Sequence, residues 1–141
     1  MTRNEALAAL IKGVHADLRA FTYLKGLLEQ QFSIALVHDG ERMTQTVQSI
    51  ETTVAALERS RRERMALLAV IAPRADRPSI EPALQALPER HRERLSKMWG
   101  ELEKLVTQCR ELNLRNGQLM ASQQEIFRRV FDSEQHTYAP V

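Results

Sequence analysis

Apolar side chains recur every three or four residues along three long stretches of the chain, a spacing typical of helices that pack along one face. These stretches are residues 3–37, 41–72 and 88–133. The segment 73–88 between the last two carries four prolines, which lack an amide donor and clash inside a helix, so we expect it to be a connection. The pattern predicts an all-α, elongated antiparallel three-helix bundle with coiled-coil-like packing and a long C-terminal helix.

The ends of these helices also leave signals. Thr2 and Glu5 have the spacing of a capping box at the start of the first helix, and Gly40 is expected to take a left-handed conformation after it. Periodicity fades after Ser133, so residues 1–133 are predicted to form the bundle and residues 134–141 a flexible tail. Because the third helix is the longest, one of its ends should overhang, and its apolar C-terminal end is the candidate.

A polar interruption falls within the third helix. Asn113, Asn116, Gly117 and Met120 share one helical face, although glycine costs about 1 kcal/mol relative to alanine there and a buried amide needs hydrogen-bond partners. One interpretation is a packing device, in which an asparagine sets the helix register and Gly117 lets another helix approach closely. The other is a surface that binds a partner. The residues alone leave both open.

Composition and charge limit the cellular compartments and the classes of partner that are expected for this chain. The net charge is +2, with the basic residues concentrated between 58 and 97, where acidic residues interleave with them; nucleic-acid binding is therefore not expected. Cys109, the only cysteine, excludes an internal disulfide and fits a reducing compartment. The N-terminus lacks the long apolar core of a secretory signal, and the run Met65–Ala72 is far shorter than the roughly 20 residues of a membrane span. We expect a cytoplasmic protein without membrane insertion.

The amino-acid sequence carries no recognisable catalytic motif. The four histidines are scattered, and the sequence has neither a phosphate-binding glycine loop nor metal-ligand spacing. The sequence therefore predicts no enzymatic activity, no catalytic residues, and no cofactor or metal site. A homodimeric coiled-coil adaptor is the main alternative to a partner-binding monomer, because the wide apolar face of the third helix could pack against a second copy.

The segment "CRELNLRNGQLM", residues 109–120, resembles the signature of the FlgN family of flagellar export chaperones. That signature is Leu-Asn, two variable residues, Asn-Gly, one variable residue and an apolar residue; it falls here on Leu112, Asn113, Asn116, Gly117 and Leu119. The family's closing Thr-Tyr element is similar to Thr137 and Tyr138, while Ala139 stands where the family usually has glycine.

The resemblance implies a cytoplasmic chaperone that binds flagellar hook–filament junction proteins, prevents their premature assembly and delivers them to the flagellar type III export gate. In the family, the C-terminal region is associated with substrate binding and the terminal tyrosine with docking at the gate, which here would be Tyr138. The expected partner-binding residues are Asn113, Asn116, Gly117, Met120, Ile126, Phe127, Val130, Phe131 and Tyr138.

Overall fold

Four helices make up the described part of the protein. The structure, a computed structural model, describes the backbone of residues 1–138 and the side chains of residues 1–126, 128 and 129. The helices are α1 (Arg3–Val37), α2 (Gly40–Ile71), α3 (Ile80–Gln85) and α4 (Glu89–Tyr138). The prediction of an all-α fold is confirmed, and within residues 1–138 there is no strand.

The predicted bounds of the long helices differ from the observed bounds mainly at the end of α4. This helix continues past residue 133 to Tyr138, because neither proline nor glycine interrupts residues 134–138. Residues 134–138 are therefore helical, and residues 139–141 lie outside the described residues. The flexibility assigned to residues 134–141 stays a prediction.

Polar side chains cap the first two helices. Thr2 Oγ1 accepts a hydrogen bond from the backbone N–H of Glu5 at 3.1 Å, as the capping spacing predicts. Asp39 Oδ1 accepts from the backbone N–H of Arg42 at 3.1 Å. The prediction for Gly40 was wrong: His38 takes the left-handed conformation, with φ 57°, and Gly40 is the first residue of α2. The reason is that Asp39 serves as the N-cap of α2, which places the left-handed residue two positions before Gly40.

The main apolar core lies at the end of the molecule where α3 meets α2 and α4. Its buried members are Ala6, Leu7, Leu10, Val14, Leu68, Ile71, Ala83, Leu84, Leu87, Leu95, Met98 and Leu102. The guanidinium of Arg92, on α4, donates hydrogen bonds to the carbonyl oxygens of Leu84 and Leu87, both at 3.0 Å. The Leu84 carbonyl also accepts from the backbone N–H of Leu87 at 3.2 Å, so Arg92 adds a second donor there and supplies one to the Leu87 carbonyl just after α3.

A buried carboxylate joins α1 to α2 above this core. Asp17 is only 3% exposed, and it accepts hydrogen bonds from Ser60 Oγ at 2.6 Å and from Arg64 Nη1 at 2.9 Å. The Arg64 guanidinium also lies over the ring of Trp99, on α4, with its carbon 5.1 Å from the ring centroid. One arginine therefore ties all three long helices together at this level.

A ladder of hydrogen bonds sets the register between α1 and α4. Three α4 side chains, one heptad apart, each donate to an α1 carbonyl oxygen: Cys109 Sγ to Phe21 at 3.5 Å, Asn116 Nδ2 to Leu28 at 2.7 Å, and Gln123 Nε2 to Ala35 at 2.8 Å. Donor and acceptor residues are 88 positions apart in every case. The constant offset means that α1 and α4 run parallel, without slippage along the contact.

Candidate partner-binding surface

The C-terminal part of α4 extends beyond the end of α1. At an offset of 88, Val37, the last residue of α1, is level with residue 125. Residues 126–138, which we call the overhang, continue for about 20 Å past that level at the usual helical rise. Ile126, its first residue, is 62% exposed. The predicted site residues Phe127, Val130, Phe131 and Tyr138 also belong to the overhang, although their side chains lie outside those that the structure describes.

Asn116 points into the interior. It is 1% exposed, and its Nδ2 donates to the Leu28 carbonyl oxygen and, at 2.9 Å, to Gln31 Oε1. Its Oδ1 accepts from Arg115 Nε at 3.2 Å and Nη2 at 3.1 Å, while the same guanidinium lies over the Phe32 ring at 3.8 Å from the centroid. A buried amide with partners on both its atoms fits the packing interpretation for this residue.

Asn113 and Gly117 lie to one side of the α1 contact, about 60° and about 100° round the axis of α4 from Asn116. Both are exposed, and Met120 is half-buried. A Cβ placed on Gly117 would have nothing within 4 Å, so no other helix in the described part of the chain uses this glycine for a close approach. The Asn-Gly signature therefore separates into one inward residue that holds the register and an outward pair on a free face. The packing interpretation therefore applies to Asn116, and the partner-binding interpretation applies to Asn113 and Gly117.

Asn113 lies on the rim of an apolar groove between α2 and α4. Phe21, Leu24 and Leu28 of α1 form the floor of this groove of about 240 Å³, which we call the α2–α4 groove. Its other lining residues are Ile50 and Val54 from α2 and Val106, Cys109, Arg110 and Asn113 from α4. The groove was not predicted from the sequence, because its apolar lining residues belong to stripes that are equally compatible with a closed core.

A smaller cavity lies at the level of the turn between α1 and α2. Met43, Met120 and Gln123 contribute to its lining, together with residues of the turn, and its volume is about 230 Å³. Methionine side chains adapt readily to differently shaped apolar partners. Met120 thus links the α2–α4 groove to the start of the overhang along one side of α4.

The chemistry of Cys109 is that of a core residue. The thiol is buried, and burial raises its pKa above the ordinary value, although the positive charge of Lys25 acts in the opposite direction. A raised pKa keeps the thiol protonated at neutral pH, which makes it a poor nucleophile. Cys109 is therefore a small packing residue rather than a reactive thiol.

Within residues 1–138, no group of three or more His, Cys, Asp or Glu side chains is placed to hold a metal ion. No helix in the same range is both long enough and apolar enough to cross a membrane.

Comparison with protein families gives one match, to the family described as FlgN protein, over residues 1–137. The chain belongs to the FlgN family. FlgN proteins are flagellar export chaperones, so the general role of this protein is that of a chaperone in the biogenesis of the flagellum. Searches of curated proteins and of solved structures returned no match.

Proposed function

We propose that this FlgN protein is a cytoplasmic chaperone for flagellar hook–filament junction proteins. It binds a helical segment of the junction subunit, prevents premature assembly and delivers the subunit to the flagellar type III export gate. It does so without enzymatic activity or a cofactor. The family supports the general export role; the choice of junction proteins as substrates follows from the resemblance of the signature.

The observation that supports this mechanism best is the overhang. Because α1 ends level with residue 125, the helix beyond that residue has no α1 beside it. The sequence places four apolar residues in this part of the helix, Ile126, Phe127, Val130 and Phe131. A helical segment with such a face is suited to pack against an amphipathic helix of another protein.

The first experiment measures complex formation by size-exclusion chromatography with light scattering, on the protein with and without each hook–filament junction protein. We expect a defined complex with at least one of them, which is lost on deletion of residues 126–141. The double variant Phe127→Ala with Val130→Ala should also lose binding, while circular dichroism shows an unchanged helix content. Leu114→Ala is the matched control, because Leu114 is 63% exposed and lies outside the overhang.

A second variant separates capture from delivery. Tyr138→Ala should bind the junction protein with unchanged affinity but reduce its export into the culture medium, if Tyr138 contacts the gate. Equal loss of binding and export would contradict this division. A stable homodimer that binds neither junction protein would instead favour the alternative of a coiled-coil adaptor.

A further inference from the structure

The three long helices occupy three corners of a four-helix arrangement. α1 packs closely against both α2 and α4, whereas within residues 1–138 no Cα atom of α2 lies within 8 Å of one of α4. In a four-helix bundle, helices at diagonal corners are separated in this way and share two neighbours. Here α1 is one of those neighbours, and the corner opposite α1 is where the second would lie.

Within residues 1–138, the backbone of the chain fills that corner at one end only. The short helix α3 packs against α2 and α4 and contributes Ala83, Leu84 and the following Leu87 to the core. Beyond α3, Arg64 and Trp99 bridge α2 and α4 by their stacked side chains. From there to the turn between α1 and α2 the corner is open, and the α2–α4 groove is its floor.

The lining of the groove indicates what would fill it. Apolar side chains dominate the lining, and Val54, at 43% exposed, lies at its open side. None of the nine lining residues is acidic, and Arg110 is the one charged residue among them. Glu51 and Glu58 lie one turn to either side of Val54 on α2 but do not line the groove. The matching occupant is an amphipathic helix with small and branched apolar residues, like those of α3, and with an acidic residue where it faces Arg110.

The groove and the overhang lie along one side of α4. Val106, Asn113 and Met120 are spaced by heptads and line the α2–α4 groove or the adjoining cavity. The same spacing reaches position 127 within the overhang, so a helix laid along this side meets both surfaces in succession. From residue 106 to residue 126 the distance is about 30 Å, which a partner helix of about 20 residues would span.

We propose that the junction-protein helix captured by the overhang continues into the vacant corner between α2 and α4 and completes a four-helix bundle. This inference rests on the proposed function for the identity of the partner. It adds a second contact surface, formed by the body of the chaperone, to the contact at the overhang. The outward pair Asn113 and Gly117 then lies along the path of the partner helix.

The test introduces a charge into the groove and measures affinity for the junction protein by isothermal titration calorimetry. Val54→Arg should weaken binding at least about tenfold, because its bulk and charge would occupy the corner. Leu114→Arg is the matched control: Leu114 is also an exposed apolar helix residue but does not line the groove, and this variant should bind like the wild type. Circular dichroism should show both variants folded. Arg110→Glu should also weaken binding, and more than Arg110→Gln, if the partner helix is acidic.

The outcomes separate the two proposals. Normal binding by Val54→Arg, together with loss of binding on deletion of residues 126–141, would overturn the vacant-corner proposal and leave the proposed function intact. Absence of binding by the wild type to either junction protein would overturn both. A wild-type homodimer that Val54→Arg converts to a monomer would show that a second copy fills the corner, which also contradicts the proposal.

Discussion

Asn113 and Asn116 are three positions apart on α4, but only Asn116 enters the interior. Its amide meets two acceptors on α1 and two donors from Arg115, and it is among the most completely buried residues of the protein. Asn113 is exposed on the rim of the α2–α4 groove. The same residue type therefore has a structural task at one position and is available for binding at the other.

Alanine substitution should distinguish these two tasks. Asn116→Ala removes the donor to Leu28 and Gln31 and leaves Gln31 Oε1, a buried acceptor, without its partner, so we expect the free energy of unfolding to fall by about 2 kcal/mol. Asn113→Ala should change it by less than about 0.5 kcal/mol, because the side chain is exposed. Urea denaturation followed by circular dichroism measures both. Equal destabilisation by the two substitutions would contradict the assignment of Asn116 as the interior residue.

Alanine substitution at Gly117 should raise the free energy of unfolding, whereas at Asn116 it should lower it. An added Cβ meets nothing within 4 Å, and the backbone there is helical without a positive φ, so Gly117→Ala should stabilise the free protein by about 1 kcal/mol. If a partner helix approaches this point closely, the same substitution should weaken binding to the junction protein. Thermal unfolding measures the stability of the variant, and calorimetric titration of the same preparation measures its affinity for the junction protein. Higher stability with unchanged affinity would mean that the glycine has no role in close approach.

At the scale of helices, the pattern of apolar residues located the long elements well, and it placed α1 at the residues where the structure has it. Periodicity is a local property, and each long helix carries enough of it to be recognised. The pattern was less informative at ends and turns. Whether His38 or Gly40 becomes left-handed depends on which residue caps the next helix, and spacing alone does not decide that.

The contact between α1, α2 and α4 at Asp17 belongs to this scale too. Arg64→Met should lower the free energy of unfolding by about 3 kcal/mol, because it leaves a buried carboxylate without its cationic partner. Arg61→Met is the matched control, since Arg61 is exposed on the same helix, and it should cost less than about 0.5 kcal/mol. Chemical denaturation at neutral pH provides the comparison. Similar small effects for both would mean that Ser60 alone is sufficient to satisfy Asp17.

For the whole molecule, sequence reasoning reached the fold class and the overhang but not the vacant corner. The relative lengths of the helices were enough to suggest that one end of α4 projects. Which pairs of helices touch is a different question, because the apolar stripes of α2 and α4 could have closed on each other as readily as on α1. Asn116 and Asn113 illustrate the same limit. Both lie in apolar stripes, and only the rotation of α4 about its axis determines which one is covered.

The constant offset between α1 and α4 has a consequence for how the length of this chain could change. Inserting one residue into α4 before Asn116 would rotate everything after it by about 100° and carry Asn116 and Gln123 away from their carbonyl acceptors. Inserting seven residues adds almost two full turns, so the side chains that follow the insertion would point in nearly the same directions as before. Residues added between Ala72 and Ser79, before α3 begins, would leave α1 and α4 unrotated and change only the number 88 itself. Length variation should therefore be free in the connection that precedes α3, and restricted to multiples of seven within the paired helices.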